Sequence, residues 1–89
     1  MITEGEKRTI RKISKRYSVK RVLLFGSSLF SSGESRDIDL AVEGISPADF
    51  FGYYGDLMIG LSKPVDVIDL AKASKFTSMI RREGIPIYG

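Results

Sequence analysis

Two short stretches, Leu24-Phe25-Gly26-Ser27 and Asp37-Ile38-Asp39-Leu40, decide the fold of this 89-residue chain. The first ends a continuous apolar run that starts at Val22 and is typical of a buried strand. The second opens a segment, residues 37–43, in which acidic and apolar side chains alternate as in a half-buried strand. Together they predict two neighbouring strands, with a glycine-serine turn close to a pair of aspartates.

Helices are predicted on both sides of these strands. Apolar side chains at helical spacing indicate helices over residues 3–17, 47–61 and about 72–83. The first opens with a capping box of Thr3 and Glu6, and the second with Ser46-Pro47. The buried sides are expected to be Ile10, Ile13 and Tyr17 in the first helix, Phe50, Tyr54, Leu57, Met58 and Leu61 in the second, and Ala73, Phe76, Met79 and Ile80 in the third.

Two further extended segments complete the pattern. Residues 65–69 predict a third strand, and residues 85–88 predict a last one at a sheet edge, because Pro86 lacks an N–H group. Gly84 is expected to end the third helix. The order α-β-β-α-β-α-β predicts the α/β (α+β) class, with helices packed on a small mixed sheet in one domain, residues 1–89.

Composition restricts the chemistry that this chain can perform. It contains neither cysteine nor histidine, which excludes disulfides, thiolate and imidazole metal sites, and catalysis by serine-histidine or cysteine-histidine pairs. A reaction must use carboxylates, hydroxyls, lysine or arginine, with a hard metal held by oxygen ligands. No apolar run approaches the roughly 18 residues of a membrane span, so we expect no membrane contact and a cytoplasmic location.

Charge is distributed unevenly along the chain. Residues 1–21 hold eight Lys and Arg against two Glu, whereas residues 34–69 hold eight acidic residues against two basic ones. A basic flank beside an acidic centre suits a site that gathers metal ions and then a polyanion. A solvated amphipathic helix beside an acidic loop accounts for the same charges.

The turn and the aspartates suggest a phosphate site. Gly26-Ser27 directly after a strand exposes backbone N–H groups, and Ser27 adds a hydroxyl donor, although such a pair is also common in ordinary turns. Asp37 and Asp39 are separated by Ile38 on a predicted strand, so their carboxylates project from the same face. This arrangement suits the binding of divalent cations. A solvent-facing strand side is the alternative for this pair.

A third carboxylate comes from the strand at residues 65–69. Asp66 lies between Val65 and Val67, which face the core if Asp66 faces away, and a metal site gives a reason for an acid in so apolar a strand. Asp69 points to the opposite side and is expected to serve as a cap or turn residue.

This combination resembles the minimal nucleotidyltransferase (MNT) family of the polymerase-beta-like superfamily, which includes MntA-like antitoxins of HEPN/MNT toxin–antitoxin systems. The resemblance rests on Gly26-Ser27 after a strand, Asp37-Ile38-Asp39, the later Asp66, and the closing segment from Ile80 to Tyr88. It implies that Gly26, Ser27, Ser28 and Arg36 bind the nucleotide. It also implies that Asp37, Asp39 and Asp66 bind two Mg²⁺ ions and form the catalytic set.

The implied reaction is nucleotidyl transfer from ATP or another nucleoside triphosphate to a hydroxyl group. The family further implies a partner, a HEPN-type toxin, whose tyrosine some antitoxins adenylylate. The loop of this chain departs from the family pattern: nine residues separate Ser27 from Asp37, the loop is poor in basic residues, and Arg36 stands where many members carry serine.

Two other functions stay open on the sequence. The chain is alternatively a degenerate antitoxin that acts by contact, and Phe51, Tyr53 and Tyr88 are either a contact patch for a partner or packing residues. A homo-oligomer is a separate alternative. It is alternatively a nucleic-acid-binding protein. The first helix would then bind phosphates through a basic stripe made of Lys7, Arg11, Lys12, Lys15 and Arg16.

Overall fold

A computed structural model describes residues 2–26 and 37–89 of the chain. The helices and strands within these residues are α1 (Glu4–Arg16), β1 (Arg21–Phe25), β2 (Ile38–Glu43), α2 (Pro47–Gly60), β3 (Val65–Asp69), α3 (Lys75–Glu83) and β4 (Ile85–Tyr88). Their order is the predicted one. None of the helices in the described segments is long and apolar enough to cross a bilayer.

The strands form one mixed sheet in the order β3-β2-β1-β4. β1 pairs antiparallel with β2 and with β4, whereas β2 pairs parallel with β3. Parallel neighbours need a crossover connection, which α2 provides between β2 and β3. The predicted fold class is therefore confirmed, and Pro86 lies on the edge strand β4 as expected.

α1 and α2 cover one face of the sheet and form the main core with it. α1 begins with the predicted capping box: the Glu6 N–H donates to the Thr3 hydroxyl at 3.1 Å, and the Thr3 N–H donates to the Glu6 carboxylate at 2.8 Å. Strand side chains alternate between faces, so every second residue reaches this core. Its buried members include Ile10, Ile13, Leu24, Leu40, Tyr53, Leu57, Val67 and Ile87.

α3 packs on the opposite face over a smaller apolar cluster. Leu23, Ala41, Leu70 and Ile80 form this cluster, and Phe25 packs against it. Arg81 ties the helix to the sheet, because its guanidinium donates to the Leu70 carbonyl at 3.0 Å and to Glu43 at 2.7 Å. A nine-residue helix spans only about 13 Å, so within residues 2–26 and 37–89 this helix covers only part of this face.

The third helix is shorter than the sequence predicted. It begins at Lys75, not near residue 72, because Ser74 caps it: the Thr77 N–H donates to the Ser74 hydroxyl at 3.1 Å. Its buried residues are Thr77 and Ile80, whereas Ala73, Phe76 and Met79 are exposed, against the prediction. Of the described residues of α3, Ile80 belongs to the apolar cluster.

The second helix turns the predicted side to the core, with Phe50 and Tyr54 partly buried against it, but Tyr53 and Met58 differ from the prediction. Tyr53 is fully buried, and its hydroxyl lies 2.7 Å from that of Ser14, so it is a packing residue and not part of an exposed patch. Met58 is 60% exposed, although Leu57 and Leu61 are buried as expected. α2 is apolar on most sides, so spacing alone does not identify every buried residue.

Candidate active site

Gly26 turns the chain at the end of β1 and lies against Asp39. Its φ of +71° falls in the left-handed region that favours glycine. A Cβ at this position would overlap with Asp39 Oδ2 and would lie 3.0 Å from Asp39 Cγ. The Asp39 carboxylate therefore occupies the space that the glycine leaves free, and the turn and the acid meet at one point.

Asp39 and Asp66 lie side by side on the parallel strands β2 and β3. Neighbouring strands are about 4.8 Å apart, and residues in register project from the same face of the sheet. Asp39 is half-buried and Asp66 is exposed. On the other side of Asp39, Phe25 is its register partner in β1. Two of the three predicted carboxylates thus share one sheet corner with the glycine turn.

The rest of β3 follows the predicted alternation. Val65 and Val67 are each 6% exposed in the main core, and Asp66 between them faces the other way. Asp69 accepts a hydrogen bond from the Ala71 N–H at 2.9 Å. Asp69 therefore serves the turn after β3, as expected.

Tyr54 contacts Asp66 from the second helix. Its hydroxyl donates to Asp66 Oδ1 at 3.3 Å. Burial raises the pKa of Tyr54, the Val67 backbone opposes that change, and the Asp66 carboxylate adds to the increase, so the phenol keeps its proton at neutral pH. The sequence placed Tyr54 on a buried stripe, and no motif signals that it reaches around the sheet edge to an acid.

The other predicted site residues are not brought into this group. Asp37 precedes β2, and its side chain is exposed. Among residues 2–26 and 37–89, no group of three or more acidic side chains is arranged to hold a metal ion. The meeting of Asp37, Asp39 and Asp66 therefore stays a prediction. Three further predicted residues lie outside the described segments: Ser27, Ser28 and Arg36.

The paired carboxylates fit a magnesium site that is completed by a phosphate. A divalent cation held between carboxylates of neighbouring strands favours the ionised form of both. Mg²⁺ prefers oxygen ligands and usually takes one or two carboxylates together with substrate phosphates. Asp39 and Asp66 provide that donor set beside Gly26, where backbone can approach a phosphate closely.

Two aromatic side chains lie next to Asp39, since Phe25 is its register partner and Phe76 contacts Phe25. The rings of Phe25 and Phe76 meet edge to face, with centroids 5.8 Å apart. A cavity of about 180 Å³, lined by Phe25, Gly26, Met79 and Glu83 among others, lies beside this pair. A larger one of about 570 Å³ lies nearer β3 and includes Ile68 and Lys72. Both cavities share Phe76.

The chain matches the family model described as Polymerase beta, Nucleotidyltransferase over residues 8–89. It therefore belongs to the polymerase beta nucleotidyltransferase family, which confirms the family resemblance read from the turn and the aspartates. A comparison with curated proteins gives no match.

Solved structures with a similar fold come from toxin–antitoxin complexes. One, described as a toxin–antitoxin with AMP-PNP, has a TM-score of 0.75 at 23% identity, covering 93% of this chain and 73% of that chain. The structure described as the toxin–antitoxin MntA–HepT has a TM-score of 0.73 at 22% identity, covering 98% of this chain and 73% of that chain. The structure of a mutant described as MntA–HpeT has a TM-score of 0.74 at 22% identity, covering 93% of this chain and 72% of that chain. At these identities the likeness is one of fold.

Proposed function

We propose that this chain is a metal-dependent nucleotidyltransferase that transfers AMP from ATP to a hydroxyl group of a partner protein. The observation that carries the proposal is the register pairing of Asp39 with Asp66 beside the left-handed Gly26. Family membership supports the reaction class. The similar fold of a toxin–antitoxin structure with AMP-PNP supports an adenine nucleotide as the donor.

In the proposed reaction, the acceptor oxygen attacks the α-phosphorus in line. A bond forms between that oxygen and phosphorus, the bond to the bridging oxygen breaks, and pyrophosphate leaves with its electron pair. Asp66 accepts the proton of the attacking hydroxyl, and Asp37 and Asp39 would hold Mg²⁺ on the side of Gly26. Mg²⁺, when bound by these carboxylates, supplies charge neutralisation for the entering and leaving oxygens. Ser27, Ser28 and Arg36 are proposed phosphate contacts.

The proposed partner is a HEPN-type toxin that docks on α2. Opposite its buried side, this helix presents a row without a charged or polar side chain, made of Ala48, Phe51, Gly52, Gly55, Met58 and Ile59. Phe51 is 80% and Ile59 is 87% exposed. Exposed apolar groups in one contiguous row mark a protein contact surface. Below, this row is called the α2 outer face.

Charge near the α2 outer face indicates what the toxin surface should carry. Lys12 and Arg16 of the neighbouring helix α1 line one cavity with Asp56 and Ile59 of α2, and Arg16 lies 3.4 Å from Asp56. A complementary partner surface is apolar at its centre and acidic towards α1. The comparisons with toxin–antitoxin complexes support this type of partner.

Label transfer tests the enzyme directly. The chain is incubated with ATP labelled at the α-phosphate, Mg²⁺ and the protein encoded by the adjacent gene. We expect a labelled partner, no label with Asp39→Asn or Asp37→Asn, and normal labelling with the matched control Asp49→Asn, which is exposed in the first turn of α2. Equal labelling by all three variants would refute the proposed site.

A contact antitoxin without catalysis is the second candidate, and the α2 outer face favours it because that surface does not depend on the carboxylates. A stable complex without label transfer, unchanged by Asp39→Asn, supports this candidate. Nucleic-acid binding through α1 predicts instead that affinity falls steeply as salt concentration rises.

A further inference from the structure

We propose that the cavity of about 180 Å³ between Phe25, Gly26 and α3 binds the base of the nucleoside triphosphate. This inference rests on the proposed function, because it assigns a second part of the same substrate. It concerns residues of α3 that lie outside the carboxylate site.

The first reason is the position of the cavity. Gly26 lines it, and the same glycine lies against the Asp39 carboxylate, where the phosphates are proposed to bind. A nucleotide whose phosphates lie at this turn reaches the cavity with its base. The larger cavity on the other side of Phe76 does not include Gly26.

The second reason is the chemistry of the walls. Phe25, Phe76 and Met79 supply flat or polarisable apolar surfaces, and Gly84 adds backbone without a side chain. Phe76 is 48% and Met79 is 40% exposed, although both are large apolar residues. A planar heteroaromatic ring that stacks against them removes this apolar surface from water and gains favourable ring contacts.

The third reason concerns which base fits. Among the described residues that line the cavity, Glu83 is the charged one. A carboxylate only accepts hydrogen bonds, so it matches a base with an exocyclic amino group, such as adenine, and opposes the carbonyl oxygen that uracil presents at the same place. Glu83 thus acts as a specificity residue and Phe76 as the stacking residue.

Binding of ATP and of inorganic tripolyphosphate, each with Mg²⁺, is measured by calorimetry. The wild-type chain is expected to bind ATP about tenfold more tightly than tripolyphosphate. Phe76→Ala should reduce ATP affinity to the level of tripolyphosphate and leave tripolyphosphate binding unchanged. The matched control Phe51→Ala, 80% exposed on the helix that packs on the opposite face of the sheet, should change neither.

A second variant keeps the test independent of the stability of Phe76→Ala. Glu83→Gln changes an exposed side chain, and we expect it to reduce the preference for ATP over UTP several-fold without weakening tripolyphosphate binding. Equal affinity of the wild-type chain for ATP and tripolyphosphate would overturn this inference and leave the proposed function intact. If neither ligand binds the wild-type chain, the proposed function falls and the base site falls with it.

Discussion

Single residues set the geometry of the candidate site, and Gly26 shows this most directly. Its backbone is left-handed and its missing side chain makes room for the Asp39 carboxylate. A residue of any other type must strain the turn or displace the acid. The sequence singled out this glycine as a turn, whereas its contact with Asp39 is visible only in the structure.

Gly26→Ala should therefore destabilise the chain and impair transfer together. We expect a loss of about 1–2 kcal/mol in the free energy of unfolding, from the left-handed backbone alone, and strongly reduced nucleotidyl transfer. Urea unfolding and the label-transfer assay measure the two effects. The matched control is Gly5→Ala in α1, where the nearest atom to a Cβ is the Thr3 hydroxyl at 3.9 Å; it should stabilise the chain by up to about 1 kcal/mol. A fully active Gly26→Ala would contradict this account.

Tyr54 is expected to position Asp66 rather than to act on the substrate. Tyr54→Phe removes a 3.3 Å hydrogen bond to the carboxylate, and we expect about a tenfold slower transfer with little change in unfolding. Tyr17→Phe is the matched control, because it removes a 2.7 Å hydrogen bond to Asp56, away from the site. Equal rates in the two variants would show that Asp66 needs no support from Tyr54.

Glu43 links stability to pH. The hydrogen bond from Arg81, at 2.7 Å, lowers the pKa of Glu43; burial opposes this effect, and Arg21 at 3.3 Å adds to it. Because the folded pKa lies below the unfolded one, the stabilisation is present above the unfolded pKa and is lost as pH falls through the folded pKa. Glu43→Gln should thus be less stable than wild type at pH 7, and the gap should shrink below about pH 4.5. The midpoints of urea unfolding of both proteins, measured across this pH range, test this prediction. A stability difference that does not change with pH would contradict its origin in the Glu43 ion pairs.

At the scale of elements, α2 and α3 both expose apolar side chains for different reasons. α2 has Asp49 and Asp56 as its charged residues and is otherwise largely apolar; the described residues bury only one of its sides, so the α2 outer face is exposed among them. α3 is amphipathic, but it is short and lies at the border of its cluster, so Phe76 and Met79 stay accessible. Helical spacing predicted both helices, and it misplaced parts of both buried sides because a neighbour's position decides burial.

The α2 outer face gives a prediction at this scale. The double variant Phe51→Ser with Ile59→Ser should weaken toxin binding at least tenfold, because it removes two large apolar contacts. Its free energy of unfolding should change little, since both side chains are already exposed in the isolated chain. Ile85→Ser, a 40% exposed apolar residue on β4, is the control. If the double variant binds the toxin as tightly as wild type, the partner does not dock on the α2 outer face.

At the scale of the molecule, the two faces of the sheet differ in what they carry. The α1–α2 face holds most of the buried apolar side chains, so it contributes most of the core. The opposite face carries Asp39 and Asp66, the cavities beside Phe76, and a short helix held by Arg81. Among the described residues, one face thus holds most of the apolar core, and the other holds the carboxylates and the cavities.

The sequence by itself determined the element order, the fold class, the glycine turn and the two aspartates now found in register. These features depend on local periodicity and on residue types with few structural uses, such as Gly26 after an apolar strand or Asp66 between two valines. Only the tertiary structure decided that Tyr54 reaches Asp66, that Tyr53 pairs with Ser14 in the core, and that Phe76 borders a cavity at Gly26. Such contacts join residues far apart in the chain, and their geometry follows from strand pairing and helix packing, which leave no periodic signal in the sequence.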